Sequence, residues 1–266
     1  MKIAPDTSQG RGVAHVPSVL VHPQLNIIAS AIDSFYQGLD QADLHERTAF
    51  VDQVRALGEK FVPTASSVTI GAVLSDANAH GLLRSVVSSC AGKWLKETLG
   101  HTVAVDLDQS WVRRQYAPGR YPPLHAPHQW HQDGALGFNF LSVPPEARSA
   151  QGLLEIITIW ITLGPCGLDA PGLELVLQPI QELVRPELLA DGHLRTAFAP
   201  ELFWTPALAT GDALLFSGDI LHRTHVTSGM SRDRTSIELR CFAAERLPSR
   251  LKGDRFVLLP RGAEDL

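Results

Sequence analysis

The sequence predicts a mainly β, α+β fold: a jelly-roll-type antiparallel barrel with helices packed outside it. Three observations carry this. Helical patterns cluster before Gly100, short apolar strands punctuated by Gly and Pro turns fill the chain after it, and no long helical pattern alternates with those strands. The last point argues against a parallel α/β sheet.

The elements follow in order. Leu25, Ile28, Ile32, Phe35 and Leu39 recur at three- and four-residue steps and predict a first helix. Leu44, Val51, Val54 and Phe61 predict a second. Leu83, Val86, Val87, Cys90 and Trp94 predict a third, ending near Gly100, with a strand over 67–74 before it. After Gly100, residues 102–106 and 110–116 are rich in β-branched and aromatic side chains and predict strands. A Pro/Gly-rich loop over 117–127 separates them from strands at 128–133, 153–163, 172–178, 213–217, 220–226 and 235–242. Turn signals between these include Gly164-Pro165, Ala170-Pro171-Gly172 and Thr210-Gly211-Asp212. The expected organisation is one domain over 1–266, with a mostly helical support region 1–100, a barrel core 101–245 and a C-terminal extension 246–266.

Composition narrows the function classes. The formal net charge of −5, with only short runs of mixed sign, offers no basic field for a nucleic-acid backbone. Residues 1–21 carry Pro5, Asp6, Gly10, Arg11 and Gly12 where a signal peptide needs an apolar core, and no apolar run reaches the roughly 18 residues of a membrane span. The 3 cysteines, Cys90, Cys166 and Cys241, are widely spaced and odd in number, so reduced thiols in a cytoplasmic protein are expected. The partner to expect is a small-molecule substrate, without nucleic acid or membrane.

The informative segment is His128-Gln129-Trp130-His131-Gln132-Asp133-Gly134. On a strand, residues 129, 131 and 133 share a face, so His131 and Asp133 can chelate one ion. His222, within Ile220-Leu221-His222-Arg223-Thr224-His225, offers a third ligand. Two imidazoles and one carboxylate form the facial triad of non-haem Fe(II) oxygenases, which leaves positions open for a bidentate co-substrate and O₂. An HxD tripeptide alone arises by chance. Its context here is an apolar strand after Gly211-Asp212, then His222, then Arg234-Thr235-Ser236. Arg234 and Ser236 share a strand face, where a guanidinium and a hydroxyl can clamp a carboxylate.

On these residues the stretch from Trp111 to Phe242 resembles the phytanoyl-CoA dioxygenase-like branch of the Fe(II)/2-oxoglutarate-dependent oxygenases. The matching pieces are Arg114-Gln115-Tyr116, Trp130 to Gly134, Trp160-Ile161-Thr162-Leu163, Gly211-Asp212 through His222, and the Arg234-x-Ser236 pair. The resemblance implies a double-stranded β-helix (cupin-like) core and a requirement for Fe(II), 2-oxoglutarate as co-substrate and O₂, with ascorbate as an assay additive. It implies oxidation of an unactivated C–H bond of a small molecule, hydroxylation by default, in a setting such as natural-product biosynthesis. It further implies that Arg234 and Ser236 hold the distal carboxylate of 2-oxoglutarate, and that Gln129 presents its amide to the C1 carboxylate or to nearby substrate. Related halogenases carry a small residue where Asp133 stands, which disfavours halogenation. The chain departs from relatives where Gln178-Pro179-Ile180-Gln181 replaces a Pro-Gly-Ser-His turn, and Arg232 lies close enough to Arg234 to compete for its role.

Other conspicuous residues have ordinary readings. His125 and His128 could join His131 in a zinc cluster on a helix, but Pro122, Pro123 and Pro127 oppose a helix there. His225 is expected to pack rather than replace His222. Trp94 and Trp111 are expected in the core or at its rim, Phe138, Phe140 and Trp204 in ordinary burial or lining a pocket, and Arg113 and Arg240 in surface salt bridges. Two other functions stay open: a cupin-type metalloenzyme without 2-oxoglutarate, and a catalytically silent metal-binding barrel.

Overall fold

The apolar stripe at three- and four-residue steps does form a helix. In the computed structural model, which describes residues 2–3, 12–41, 67–100, 102–120, 127–135, 153–247 and 256–259, α1 spans Gln24–Gln41 and buries Leu25, Ile28, Ile32 and Tyr36. The helix expected over Leu44 to Phe61 lies outside the described residues. The expected third helix is two: after the short α2 (Ile70–Val73) come α3 (Asp76–Ser88) and α4 (Cys90–Leu99). Ser89 breaks them with an extended backbone; its Oγ donates to the Val86 carbonyl and accepts from the Ala91 amide, capping α4.

The strands are β1 (Lys2–Ile3), β2 (Val13–Val16), β3 (Ser67–Thr69), β4 (Val103–Gln115), β5 (His131–Gln132), β6 (Ile157–Thr162), β7 (Gly172–Val176), β8 (Phe203–Trp204), β9 (Ala213–Ser217), β10 (Leu221–His225), β11 (Arg234–Ala243) and β12 (Phe256–Leu258). They form two antiparallel sheets, one ordered β1-β2-β9-β6-β11-β4-β12 with β3 on β4, the other β5-β10-β7-β8. This is the double-stranded β-helix core with outer helices. A further short helix, α5 (Asp191–Ala197), falls between β7 and β8, in a stretch for which no helix is expected from sequence. No helix among the described residues is long and apolar enough to cross a membrane, and Cys90, Cys166 and Cys241 are free thiols.

Alternation along β6 and β11 sets the polarity of the barrel. Ile157, Ile159 and Ile161 of β6, and Ile237, Leu239, Cys241 and Ala243 of β11, belong to one buried cluster with the helical residues Ile28, Ile32, Leu82, Val86 and Leu95. A fully buried side chain of this kind contributes roughly 1.5–3 kcal/mol. The opposite faces carry Thr158, Trp160 and Thr162, and Arg234, Ser236, Glu238 and Arg240. The polar face therefore points into the barrel, while the helices cover the apolar one.

Three strand expectations are corrected. The strand expected over 67–74 ends at Thr69, where α2 begins at Ile70. The segments 102–106 and 110–116 form one strand, β4, whose pairing with β11 slips register between Glu238 and Arg240. The strand expected over 128–133 shrinks to β5, and Asp133 opens a single 3₁₀ turn, Asp133–Ala135. Gln132 fastens this short strand with its side chain: Nε2 donates to the carbonyls of Ile180 (2.9 Å) and Glu182 (3.2 Å), and Oε1 accepts from the Val184 amide (2.9 Å). Gly134 lies so close to its neighbours that a Cβ there would sit 2.9 Å from the Gly218 carbonyl oxygen and 3.0 Å from that of Leu154.

Candidate metal centre and co-substrate pocket

Strand pairing brings the two histidines together. β5 and β10 are antiparallel with His131 directly opposite His222, and the ring centroids lie 4.2 Å apart. The 3₁₀ turn then carries Asp133 back toward both rings, with Oδ1 3.9 Å from His131 Nε2 and Oδ2 3.7 Å from His222 Nε2. One ligand atom from each residue lies within 4.8 Å of the others, close enough to share a cation.

Backbone carbonyls decide which ring nitrogens are free. His131 Nδ1 lies 2.6 Å from the Gln129 carbonyl and His222 Nδ1 lies 3.1 Å from that of Ile220. A carbonyl only accepts, so each Nδ1 carries hydrogen and donates, leaving both Nε2 lone pairs toward Asp133. Burial, then repulsion from His222, lowers the His131 pKa to about 4, so its ring is neutral at pH 7. For Asp133, burial opposes ionisation, but the Arg240 guanidinium and the two imidazoles outweigh it and hold the carboxyl well below its ordinary range. The donor set of neutral imidazole and ionised carboxylate fits a divalent transition metal.

The triad residues line a cavity of about 310 Å³, counted to its mouth, whose walls include Trp160, Leu173, Phe216, Thr224 and Arg234. A larger cleft of about 500 Å³, lined by Leu153 to Ile157, Ser217 to Asp219 and Arg246, contains none of the triad and is not where this chemistry sits. Arg234 is 2% exposed, its Nη1 donates to Ser236 Oγ at 2.6 Å, and its guanidinium carbon lies 4.8 Å over the Trp160 ring. Its Nε and Nη2 are buried and make no hydrogen bond among the described residues. Burial lowers its pKa only to about 10, so the charge persists. A buried cation with two vacant donors fits a carboxylate guest, because no acceptor among the described residues repays their desolvation.

The other expected residues divide. Arg232 is half-exposed and bonded to Asp169 at 2.7 Å, away from the cavity. Gln129 is exposed and its amide donates to the Pro127 carbonyl at 3.1 Å, so it does not line the cavity; the strand that would have shared its face with His131 begins only at residue 131. His225 falls on the opposite face of β10 from His222. His128 does reach the cavity, where its Nε2 accepts from Arg113 Nη1 at 2.6 Å; that cation, then burial, lowers its pKa to about 2. His125, Phe138 and Phe140 lie outside the described residues.

No protein-family model matches the chain, and no curated protein matches it in sequence. Solved structures do match in fold. EctD from S. alaskensis with bound Fe aligns at a TM-score of 0.63 and 12% identity, over 92% of this chain and 79% of that one. The non-heme alpha ketoglutarate dependent carbocyclase SnoK from nogalamycin biosynthesis aligns at 0.59 and 16% identity, over 95% of this chain and 93% of that one. The epimerase SnoN, in complex with Fe3+, alpha ketoglutarate and nogalamycin RO, aligns at 0.54 and 17% identity, over 95% of both chains. At these identities the likeness is one of fold.

Sequence reading missed a buried charged cluster behind the triad. Arg240 and Arg113, expected in surface salt bridges, are buried or nearly so: Arg240 Nη2 bonds Asp133 Oδ1 at 3.0 Å and Glu238 Oε2 at 3.3 Å, while Arg113 Nε pairs with Glu238 Oε1 at 2.9 Å. The signal was present as the continued alternation Arg234-x-Ser236-x-Glu238-x-Arg240.

Proposed function

We propose that this chain is an Fe(II)/2-oxoglutarate-dependent oxygenase of the phytanoyl-CoA dioxygenase-like kind, acting on a small molecule. The observation that carries the reading is the pairing, in one cavity, of a His-Asp-His donor set with a buried arginine whose Nε and Nη2 have no hydrogen-bond partner among the described residues. In this reading residues 1–266 are one domain. His131, Asp133 and His222 hold the metal, and Arg234 with Ser236 holds the distal carboxylate of 2-oxoglutarate. When bound, Fe(II) with 2-oxoglutarate and O₂ supplies oxidation of an unactivated C–H bond, coupled to conversion of 2-oxoglutarate to succinate and CO₂.

The chain's own contribution is binding, orientation and dryness. The carbonyls of Gln129 and Ile220 fix the tautomers that free both Nε2 atoms for the metal. Trp160, Leu173 and Phe216 exclude water, which strengthens the interaction of Arg234 with an anion. Asp133 fills the ligand position that halogenases leave small, which favours hydroxylation or a related C–H oxidation. That SnoN and SnoK, proteins of this fold, come from nogalamycin biosynthesis supports a natural-product substrate.

The test is calorimetric titration of 2-oxoglutarate into the anaerobic Fe(II)-loaded chain, with succinate formation measured on admitting air in the presence of ascorbate as the reductant. Wild-type chain is expected to bind and turn over, and His131→Ala and Asp133→Ala to lose both while keeping a native circular-dichroism spectrum. Metal binding without 2-oxoglutarate binding would replace this reading with a cupin-type enzyme that does not use 2-oxoglutarate.

A further inference from the structure

Asp133 sits on a one-turn 3₁₀ helix after a two-residue strand, and the final torsion of an aspartate side chain is broad rather than staggered. The backbone therefore does not fix the plane of its carboxylate. Two side chains from neighbouring strands do. Arg240 Nη2 donates to Oδ1 at 3.0 Å, and the Thr158 hydroxyl donates to Oδ2. The direction of that hydroxyl is forced: Arg240 Nη1 reaches Thr158 Oγ1 at 2.9 Å, and a guanidinium can only donate. Thr158 must accept from Arg240 and spend its own proton on Asp133.

The device is built into the sheet. Arg240 and Thr158 are register partners in the β11–β6 pairing, and their exposures are 5% and 1%. Arg240 is braced by Glu238 Oε2 at 3.3 Å, and Arg113 Nε holds the other carboxylate oxygen, Oε1, at 2.9 Å. A guanidinium this close to a cation site opposes cation binding by charge. Its presence is explained by geometry, with Glu238 offsetting the charge.

We propose that Arg240 and Thr158 are positioning residues that lock the Asp133 carboxylate for metal binding, an inference that rests on the triad reading above. Each carboxylate oxygen accepts from one of these donors, so the sheet sets the plane of the carboxylate and each oxygen keeps a lone pair for a ligand.

The experiment titrates the metal-free chain with Co(II) alone, following the visible absorption of bound Co(II). Thr158→Val removes the hydroxyl without changing charge or branching and is expected to weaken Co(II) binding about 10- to 100-fold, the usual cost of losing a partner of a metal ligand. Thr158→Ser restores the hydroxyl and is expected to return affinity to within about threefold of wild type on the same scale. Arg240→Met is expected to weaken binding too, whereas charge alone would tighten it. Wild-type affinity in Thr158→Val, tighter binding in Arg240→Met, or failure of Thr158→Ser to recover would each overturn the proposal. His131→Ala and His222→Ala serve as controls: if they bind Co(II) like wild type, the triad reading falls first and takes this one with it.

Discussion

Replacing Arg234 with methionine separates what a buried cation does for the fold from what it does for a guest. In the ligand-free chain its contributions oppose one another. The bond to Ser236 is worth about 1.5–3 kcal/mol as a charge-assisted hydrogen bond, and the position over Trp160 about 0.5–2 kcal/mol. Against these stand two buried N–H groups, Nε and Nη2, without partners among the described residues, at about 1–3 kcal/mol each. Methionine keeps an apolar stem of similar reach and removes gains and costs together. Those gains and costs nearly cancel at their midpoints and differ by at most about 4 kcal/mol at their extremes, so the unfolding free energy of the ligand-free chain is expected to change by less than about 4 kcal/mol in either direction. With 2-oxoglutarate bound, the balance tips. Truncating one partner of a buried, hydrogen-bonded charge pair costs about 2–5 kcal/mol, or roughly 30- to 4,000-fold in Kd at about 1.4 kcal/mol per tenfold. The assay is calorimetry of 2-oxoglutarate against the metal-loaded chain, beside chemical denaturation of the metal-free chain. Arg234→Lys keeps a point charge without the fork and should fall between the two. Arg232→Ala should bind like wild type, because that side chain is exposed and engaged by Asp169. The reasoning is refuted if Arg234→Met binds 2-oxoglutarate with wild-type affinity, or if the variant no longer folds.

Glu238 should leave a signature in acid. Burial raises its pKa, but Arg113 and Arg240 outweigh that and bring it from 4.5 down to about 2. A folded-state pKa below the unfolded one means stability that is complete above about pH 4.5 and lost as pH falls toward about 2. Glu238→Gln should therefore be less stable at pH 7, by denaturant midpoint, with the gap closing through that window; a gap constant down to pH 3 would contradict the assignment. Gly134→Ala should force the Gly218 and Leu154 carbonyls apart and displace the turn that carries Asp133, costing about 1–3 kcal/mol as an overpacked site. Thermal denaturation and Co(II) titration should both register the change, and an unaltered melting temperature would show that the turn yields freely.

A strand's two-residue period makes Arg234 and Ser236 legible as a pair, since they share a face of β11, whereas Asp133 reaches His131 and His222 by the 3₁₀ turn after β5, a route that strand alternation does not describe. The same period runs on to Glu238 and Arg240 and joins Thr158 to Trp160, yet sequence alone predicts a surface salt bridge for Arg240 and assigns no role to Glu238 or Thr158. The reason is an inverted convention. Alternation is usually read polar-out, but here helices α1, α3 and α4 cover the apolar face of β6 and β11, and the polar face turns inward. Gln129 failed for the opposite reason. A strand was extended back from His131 by pattern alone, while the chain adopts strand pairing only at His131–Gln132. The break at Ser89 was hidden because Val86, Cys90 and Trp94 keep helical spacing across it, and only the serine's double hydrogen bond marks the end of one helix and the start of the next.

Gln132 gives the site a degree of independence. Its side-chain amide does for β5 what another strand would do on that edge, joining it to the backbone of Ile180, Glu182 and Val184. The corner that presents His131 and Asp133 is thus anchored locally, by one residue between them. Insertions or rewritten sequence on either side of that corner can reshape what enters the barrel while the corner keeps its form, so new specificities can arise without rebuilding the centre that serves them.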